Sequence, residues 1–168
     1  MSAQTNGEPA LRTKVPGPRS RKLAARLAAI ESPDTTCLEP LPIFWERASG
    51  SYVWDVDGNR FIDLSGAFGV ANVGHAHPRV LAAIQGQSER LLHGMGDVYP
   101  SDVKVELLDA LCKRFPGGVS ARATLGSSGS DAVEIAIKTA LVATNKPGII
   151  AFEGAYHGLS LGALDAAS

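Results

Sequence analysis

Two short stretches carry residue types that could do chemistry. The first is TLGSSGSDAVEIAIK, residues 124–138, where Gly126, Ser127, Ser128, Gly129 and Ser130 precede a run with helical spacing. The first turn of a helix leaves backbone N–H groups without intrahelical acceptors and carries the positive end of the helix dipole. Small residues let an anion reach those donors and serine hydroxyls add others, so the turn suits a phosphate. An ordinary serine cap accounts for one of the three serines equally well. Asp131 opposes a bare phosphate but also stabilises a helix start, and so decides neither way. The stretch is not a Walker loop, because no Gly-Lys-Ser/Thr follows, and it lacks the spaced glycines of a dinucleotide fingerprint.

The second stretch is FEGAYHG, residues 152–158. Glycines free the backbone for close approach, Tyr156 offers a flat face to an aromatic ring, and His157 is a polar, titratable neighbour. Taken singly, each could be a packed core residue. Together with a phosphate turn one unit earlier, they describe a site for a planar, phosphorylated cofactor.

The elements that must position these stretches follow from periodicity and turn residues. A strand over 121–125, a helix over about 129–143, the break Asn145-Lys146-Pro147-Gly148 and a strand over 149–152 read as a βαβ unit. That implies a parallel sheet and an α/β class. In open α/β sheets ligands gather beyond the C-terminal ends of the strands, where FEGAYHG falls. A helix over 101–114 has Ser101 as its cap and ends at Phe115-Pro116-Gly117-Gly118. Another runs from Pro78 to about His93. Before it lie the glycine-punctuated loop SGAFGVANVG, residues 65–74, and His75-Ala76-His77. Residues 44–64, FWERASGSYVWDVDGNRFIDL, hold three short apolar or aromatic runs split by Ser49-Gly50-Ser51 and Asp57-Gly58-Asn59, which predicts an antiparallel meander. Trp45, Tyr52 and Trp54 are read as packing residues. A helix with Leu23, Leu27 and Ile30 on one face begins near Ser20 and stops at Ser32-Pro33-Asp34. Residues 1–18, rich in proline and glycine, are expected to be extended or disordered, a solvated basic arm. No internal repeat is present.

Composition bounds the function. The chain has 168 residues, 45% hydrophobic and 20% charged, with a formal net charge of −1, which argues against an electrostatic hold on nucleic acid. No apolar run approaches the roughly 18–20 residues needed to cross a bilayer, and the first residues lack a secretory signal profile. Cys37 and Cys112 have no partners at metal-ligand spacing. They read as free or buried thiols of a cytoplasmic protein, with no metal site.

The pieces WERASGSYVWDVDGNRFIDL, GVANVGHAHP, GSSGSDAVEIAIK and FEGAYHGLSLGAL, in this order and spacing, cover most of residues 40–164. With them the chain resembles the class III, pyridoxal-phosphate (PLP)-dependent aminotransferases, the group of ornithine, acetylornithine and 4-aminobutyrate aminotransferases. The resemblance implies the N-terminal part of a fold-type I transferase: a small β-meander segment plus the start of the large-domain sheet, incomplete. The implied division is an arm at 1–18, an N-terminal helix and small-domain meander at 19–78, and the start of the PLP-binding large domain at 79–168. It implies pyridoxal 5′-phosphate as cofactor, its phosphate held by backbone and side chains of Gly129 and Ser130 with Ser128 nearby. Tyr156 would stack on the pyridine ring and His157 would flank it. Phe68, Gly69 and Val70 would border the substrate pocket, and HGMGDVYP, residues 93–100, would lie near a homodimer interface. One departure stands out: the family's Glu-Ala-Asn-Glu is here Asp131-Ala132-Val133-Glu134, which leaves cofactor binding intact but alters how the helix start is buttressed.

The implied reaction moves an amino group from an amino acid or ω-amine to a 2-keto acid. It needs a Schiff-base lysine and a carboxylate facing the pyridine nitrogen, which the family places on later strands. Lys14, Lys22, Lys104, Lys113, Lys138 and Lys146 do not match that lysine's position, so no catalytic residue is assigned. The chain is therefore expected to be an enzyme fragment, inactive alone, ending at LGALDAAS without a closing helix. Later strands would separate the 121–125 and 149–152 strands, whose edges would otherwise be open to water. An aminomutase or decarboxylase of the same family, a non-catalytic cofactor cup or dimerisation remnant, and a phosphate-sugar or nucleotide binder using the serine turn alone are the other readings.

Overall fold

The turn residues between the aromatic runs act as the sequence predicts. In the computed structural model, which describes residues 8–33, 35–118 and 120–167, three antiparallel strands form in the order β1 (Trp45–Ser49), β2 (Tyr52–Asp55) and β3 (Arg60–Ile62). Ser49 faces Tyr52 across a two-residue connection in which Gly50 takes φ 57°, a left-handed conformation that glycine adopts without strain. Val53 is buried at 2% exposure. Its neighbours Tyr52 and Trp54 are roofed by cations, with the Arg47 guanidinium 3.6 Å from the Trp54 ring centre and that of Arg60 5.6 Å from Tyr52, so all three aromatics pack as expected, Trp45 edge-on to His75 at 5.9 Å.

The β2–β3 turn does more than reverse the chain. Asp55 and Asn59 are fully buried, and burial of such groups requires partners for every polar atom. Asn59 Oδ1 accepts from the amides of Arg12 (2.7 Å) and Thr13 (2.9 Å), and its Nδ2 donates to Asp55 Oδ2 (2.7 Å) and Thr13 Oγ1 (3.0 Å). Asp55 Oδ1 in turn accepts from the amides of Asn59 (2.8 Å) and Asp57 (3.0 Å). Ala10 pairs with Arg60 beside this knot. Asp57 then accepts from the amides of Arg19 and Ser20 and from the Ser20 hydroxyl at 2.7–2.9 Å. These donors close the start of α1 (Pro18–Ala28). Burial works against ionisation of Asp57, yet the Ser20 and Arg19 donors and the Arg19 charge outweigh it and hold the carboxyl below its usual value.

Residues 10–17, expected to be extended or disordered, are held at Ala10, Arg12 and Thr13 by these bonds. Ala10 exchanges both backbone bonds with Arg60, and the Asn59 side chain supplies the acceptor for the Arg12 and Thr13 amides. Residues 1–7 of that expectation lie outside the described residues. The buried stripe of α1 is Ser20 and Ala24, while Ile30 is exposed.

The chain divides into two compact units, Met1–Leu92 and His93–Ser168. α2 (Pro78–Arg90) lies in the first unit. Its entry is tied to the meander, because His75 N and O pair with Gly50 at 2.8 and 2.9 Å.

The second unit holds α3 (Asp102–Arg114), α4 (Gly129–Thr144) and α5 (Leu161–Asp165). Ser101 occupies the N-cap of α3 without a side-chain cap bond. Asn145 ends α4 at φ 53°, a left-handed C-terminal stop. α5 corrects the expectation that LGALDAAS closes without a helix; Ala163 and Ala166 are buried there. Segments 121–125 and 149–152 form no ladder among the described residues, so the βαβ unit is not realised as a sheet. A strand needs a neighbour to satisfy its backbone, and Ile150, at 94% exposure, has none beside it. Among the described residues no helix is long and apolar enough to cross a membrane.

Candidate functional site

Reciprocal caps shape the serine turn. The Ser128 hydroxyl, at the N-cap of α4, accepts from the Asp131 amide at 3.1 Å. Asp131 Oδ2 accepts from the Ser127 amide at 2.9 Å and from its hydroxyl at 3.3 Å. This is a capping box shifted by one residue, which satisfies two backbone donors at the helix start. A Cβ on Gly126 would stand 3.0 Å from the Ala132 amide nitrogen, so the chain passes close under the helix there, whereas a Cβ on Gly129 would meet nothing within 4 Å. The amides of Gly129 and Ser130 lie in the first turn of α4, where a helix offers its N–H groups no intrahelical acceptor.

The second stretch is fastened to the same helix. Ser130 and Glu134, one turn apart on α4 and so on one face, both reach the residues that follow FEGAYHG. Ser130 Oγ accepts from the Ser160 amide at 2.9 Å and donates to Ser160 Oγ at 2.7 Å. Glu134 Oε2 accepts from the Gly162 amide at 2.9 Å and from Ser160 Oγ at 3.2 Å, and Oε1 lies 3.3 Å from Lys138 Nζ. Burial resists ionisation of Glu134, but the Lys138 ammonium, the Ser160 hydroxyl and the Gly162 amide prevail and keep its carboxyl below the usual range. Gly158 runs against Ser130 at φ 108°, a conformation and a closeness that only glycine allows.

Between helix start and loop lies an open hollow of about 430 Å³ lined by Gly129, Ser130, Tyr156 and His157, with Val133, Gly158 and Leu159 completing the wall. Four of the expected cofactor residues thus come together. Ser128 stands outside the lining, its hydroxyl engaged as a cap. Tyr156 is 75% exposed, so its ring face is available. Val133 gives the hollow an apolar wall. Among the described residues no lysine lines the hollow. Lys104 Nζ instead donates to Gly96 O at 2.5 Å, holding the 93–100 segment, and Lys113 pairs with Asp109 at 2.6 Å.

The first unit has its own polar centre at Asp63. Its Oδ1 accepts from the Ser65 amide (3.0 Å) and hydroxyl (2.7 Å), and its Oδ2 from the Ala67 amide (3.0 Å) and His75 Nε2 (2.7 Å). The His75 bond, the largest influence, and the Ser65 hydroxyl bring the Asp63 carboxyl down to about 2. These bonds hold a loop in which Gly66, Ala67, Phe68 and Gly69 all have positive φ. Phe68, Gly69 and Val70 form its tip. Phe68 is fully exposed, and a neighbouring hollow of about 260 Å³, lined by Asp63, Ser65, Asn72 and His75 among others, excludes all three.

Sequence reasoning missed Glu134 and Ser160 as a fastening and Asp63 and His75 as a clamp. The i, i+4 spacing of Ser130 and Glu134 was a usable signal. Asp63 and His75 flank the 65–74 loop, a spacing that carries no local pattern.

The architecture is that of the N-terminal part of an α/β, fold-type I transferase. A transaminase solved with PLP bound matches it with a TM-score of 0.78 at 29% identity, over 92% of this chain and 35% of that one. The profile of the family described as Aminotransferase class-III matches residues 36–168, and the chain belongs to that family. It is 45% identical over 120 residues to the 5-aminovalerate aminotransferase DavT of Pseudomonas aeruginosa, covering 71% of this chain and 28% of that protein. It is 42% identical over 117 residues to the 4-aminobutyrate aminotransferase GabT of Escherichia coli, covering 70% and 28%. The chain thus spans less than a third of the length of these relatives.

Proposed function

We propose that the hollow between the start of α4 and the 152–160 loop takes pyridoxal 5′-phosphate. In this reading the longer protein to which such a chain contributes transfers an amino group from an amino acid or ω-amine to a 2-keto acid. The observation that carries it is the convergence, in one hollow, of Gly129 and Ser130 at the helix start with Tyr156 and His157. The donor set fits the group: two amides at a helix start suit a phosphate dianion, the unobstructed space over Gly129 gives it room, and an exposed aromatic face suits a pyridine ring. Bound there, the cofactor would supply an electron-withdrawing ring.

The chain's own residues bind and orient. Gly129 and Ser130 hold phosphate through the backbone, because the Ser128 and Ser130 hydroxyls are engaged elsewhere. Tyr156 sets the plane of the ring, His157 flanks it, and Val133 keeps water from one wall. Phe68, Gly69 and Val70, on the loop clamped by Asp63, would border the substrate in the longer protein, as the family resemblance implies. Relatives named for 5-aminovalerate and 4-aminobutyrate support an ω-amino acid as donor. Exposed Met95, Val98 and Tyr99 on the 93–100 segment support a homodimer of the longer protein, and the unpaired thiols Cys37 and Cys112 support a cytoplasmic location. With no lysine in the hollow, the chain alone grips without turnover.

The test is an absorbance titration of the chain with pyridoxal phosphate, with inorganic phosphate and pyridoxal as competitors. Saturable binding is expected, weakened about 10-fold or more by Tyr156→Ala. Absence of saturable binding, or equal affinity in Tyr156→Ala, overturns the reading; the second outcome with intact phosphate binding points to a phosphate-sugar or nucleotide ligand. Release of keto acid from an amino donor by the chain alone would refute the absence of turnover.

A further inference from the structure

The Tyr156–His157 loop cannot hold its own shape. Gly154 and Gly158 both have positive φ, Tyr156 and His157 are exposed, and inside the loop the Ala155 amide donates to Phe152 O at 3.2 Å. What fixes the height of Tyr156 over the first turn of α4 is the anchor that follows it. Ser160 is joined to Ser130 through both amide and hydroxyl, and Ser160 and Gly162 are joined to Glu134. Ser130 and Glu134 sit on a helix of 16 residues, so the anchor has a rigid base. Gly162 is as closely matched: a Cβ there would stand 2.8 Å from Glu134 Oε2.

We propose that Glu134 and Ser160 are positioning residues for the ring-binding loop: by tying residues 160–162 to the first two turns of α4 they hold Tyr156 at stacking distance from a ring whose phosphate lies on the Gly129 and Ser130 amides. This rests on the cofactor reading above. Neither side chain lines the hollow, so neither touches the ligand. They act by preorganisation, removing loop freedom that binding would otherwise have to remove. The consequence is a split: the ring's share of affinity depends on Glu134, and the phosphate's share does not.

The experiment measures dissociation constants of the chain for pyridoxal phosphate and for inorganic phosphate. Glu134→Ala is expected to weaken pyridoxal phosphate binding about 10-fold while phosphate affinity stays within about twofold. Glu134→Gln, which keeps an acceptor oxygen for the Gly162 amide, is expected to recover most of the loss. Ser160→Ala is the milder second variant, because it retains the amide bond to Ser130 while removing the hydroxyl; it should show the same split at about threefold. In a cycle with Tyr156→Ala, the Glu134→Ala effect should vanish, since an absent ring has no height to set. The proposal is overturned if Glu134→Ala weakens both ligands equally, weakens neither, or adds in full to Tyr156→Ala. Failure of the unsubstituted chain to bind pyridoxal phosphate overturns the cofactor reading and this proposal together. Loss on Tyr156→Ala with no loss on Glu134→Ala overturns this proposal alone.

Discussion

Replacing Gly158 by alanine tests the fastening of loop to helix most directly. The new Cβ would stand 2.5 Å from Ser130 Oγ and 2.9 Å from Ser130 Cα, distances at which one side must move by about 1 Å to restore van der Waals contact. Ser130 is on the helix, so the loop moves. A shift of that size stretches the 2.9 Å bond from Ser160 N to Ser130 Oγ beyond bonding distance. The overlap costs about 1–3 kcal/mol, on top of about 1–3 kcal/mol for an alanine held at a positive φ. Gly154 is the internal control. It lies in the same loop at φ 76°, and a Cβ there would meet nothing within 4 Å, so Gly154→Ala carries the backbone strain alone.

Native-state hydrogen exchange at the Ser160 and Gly162 amides, whose acceptors are Ser130 Oγ and Glu134 Oε2, reports local opening of this anchor. The excess of about 1–3 kcal/mol for Gly158→Ala over Gly154→Ala corresponds to about 5- to 150-fold faster exchange at both amides. Amides in the middle of α3 should be unchanged in both variants. Equal acceleration by the two substitutions, or protection retained in Gly158→Ala, would refute the close approach and with it the anchoring role.

Asn59→Ala removes the acceptor of two backbone amides and strips a partner from a buried carboxylate; a loss of about 2–4 kcal/mol is expected by urea denaturation, with faster proteolysis within residues 10–17, and a loss below about 0.5 kcal/mol would show that the knot is not buried in solution. Asp63 has its carboxyl lowered from 3.8 to about 2. Its contribution to stability is therefore complete above about pH 4 and disappears as pH falls through about 2. In Asp63→Asn that part of the acid dependence should be missing, and denaturation midpoints of variant and parent that run parallel between pH 4 and 2 would contradict the clamp.

Some of this architecture is legible because it is local. Ser49-Gly50-Ser51 and Asp57-Gly58-Asn59 mark the meander turns through backbone chemistry alone, and Pro78 marks the start of α2 because proline suits a first helical turn. The role of Asn59 as the anchor of residues 12 and 13 was not legible, since it joins positions 46 and 47 apart and a turn asparagine looks the same whether or not a distant segment uses it. The strands expected over 121–125 and 149–152 form no ladder among the described residues for a related reason: strand pairing depends on partners that neither segment contains.

The serine turn shows the same limit in its most useful form. Three hydroxyls beside two glycines suggest a set of side-chain donors for an anion. Yet Ser127 is tied to Asp131, Ser128 caps the helix, and Ser130 fastens the loop that carries Tyr156. What remains for a ligand is backbone, the amides of Gly129 and Ser130. The hydroxyls act one step back, aiming those amides and setting what faces them. Asp131 is no obstacle to the proposed phosphate, because its carboxylate is engaged by the Ser127 amide and hydroxyl. The acid that decided neither way in the sequence is, in the fold, part of what shapes the turn.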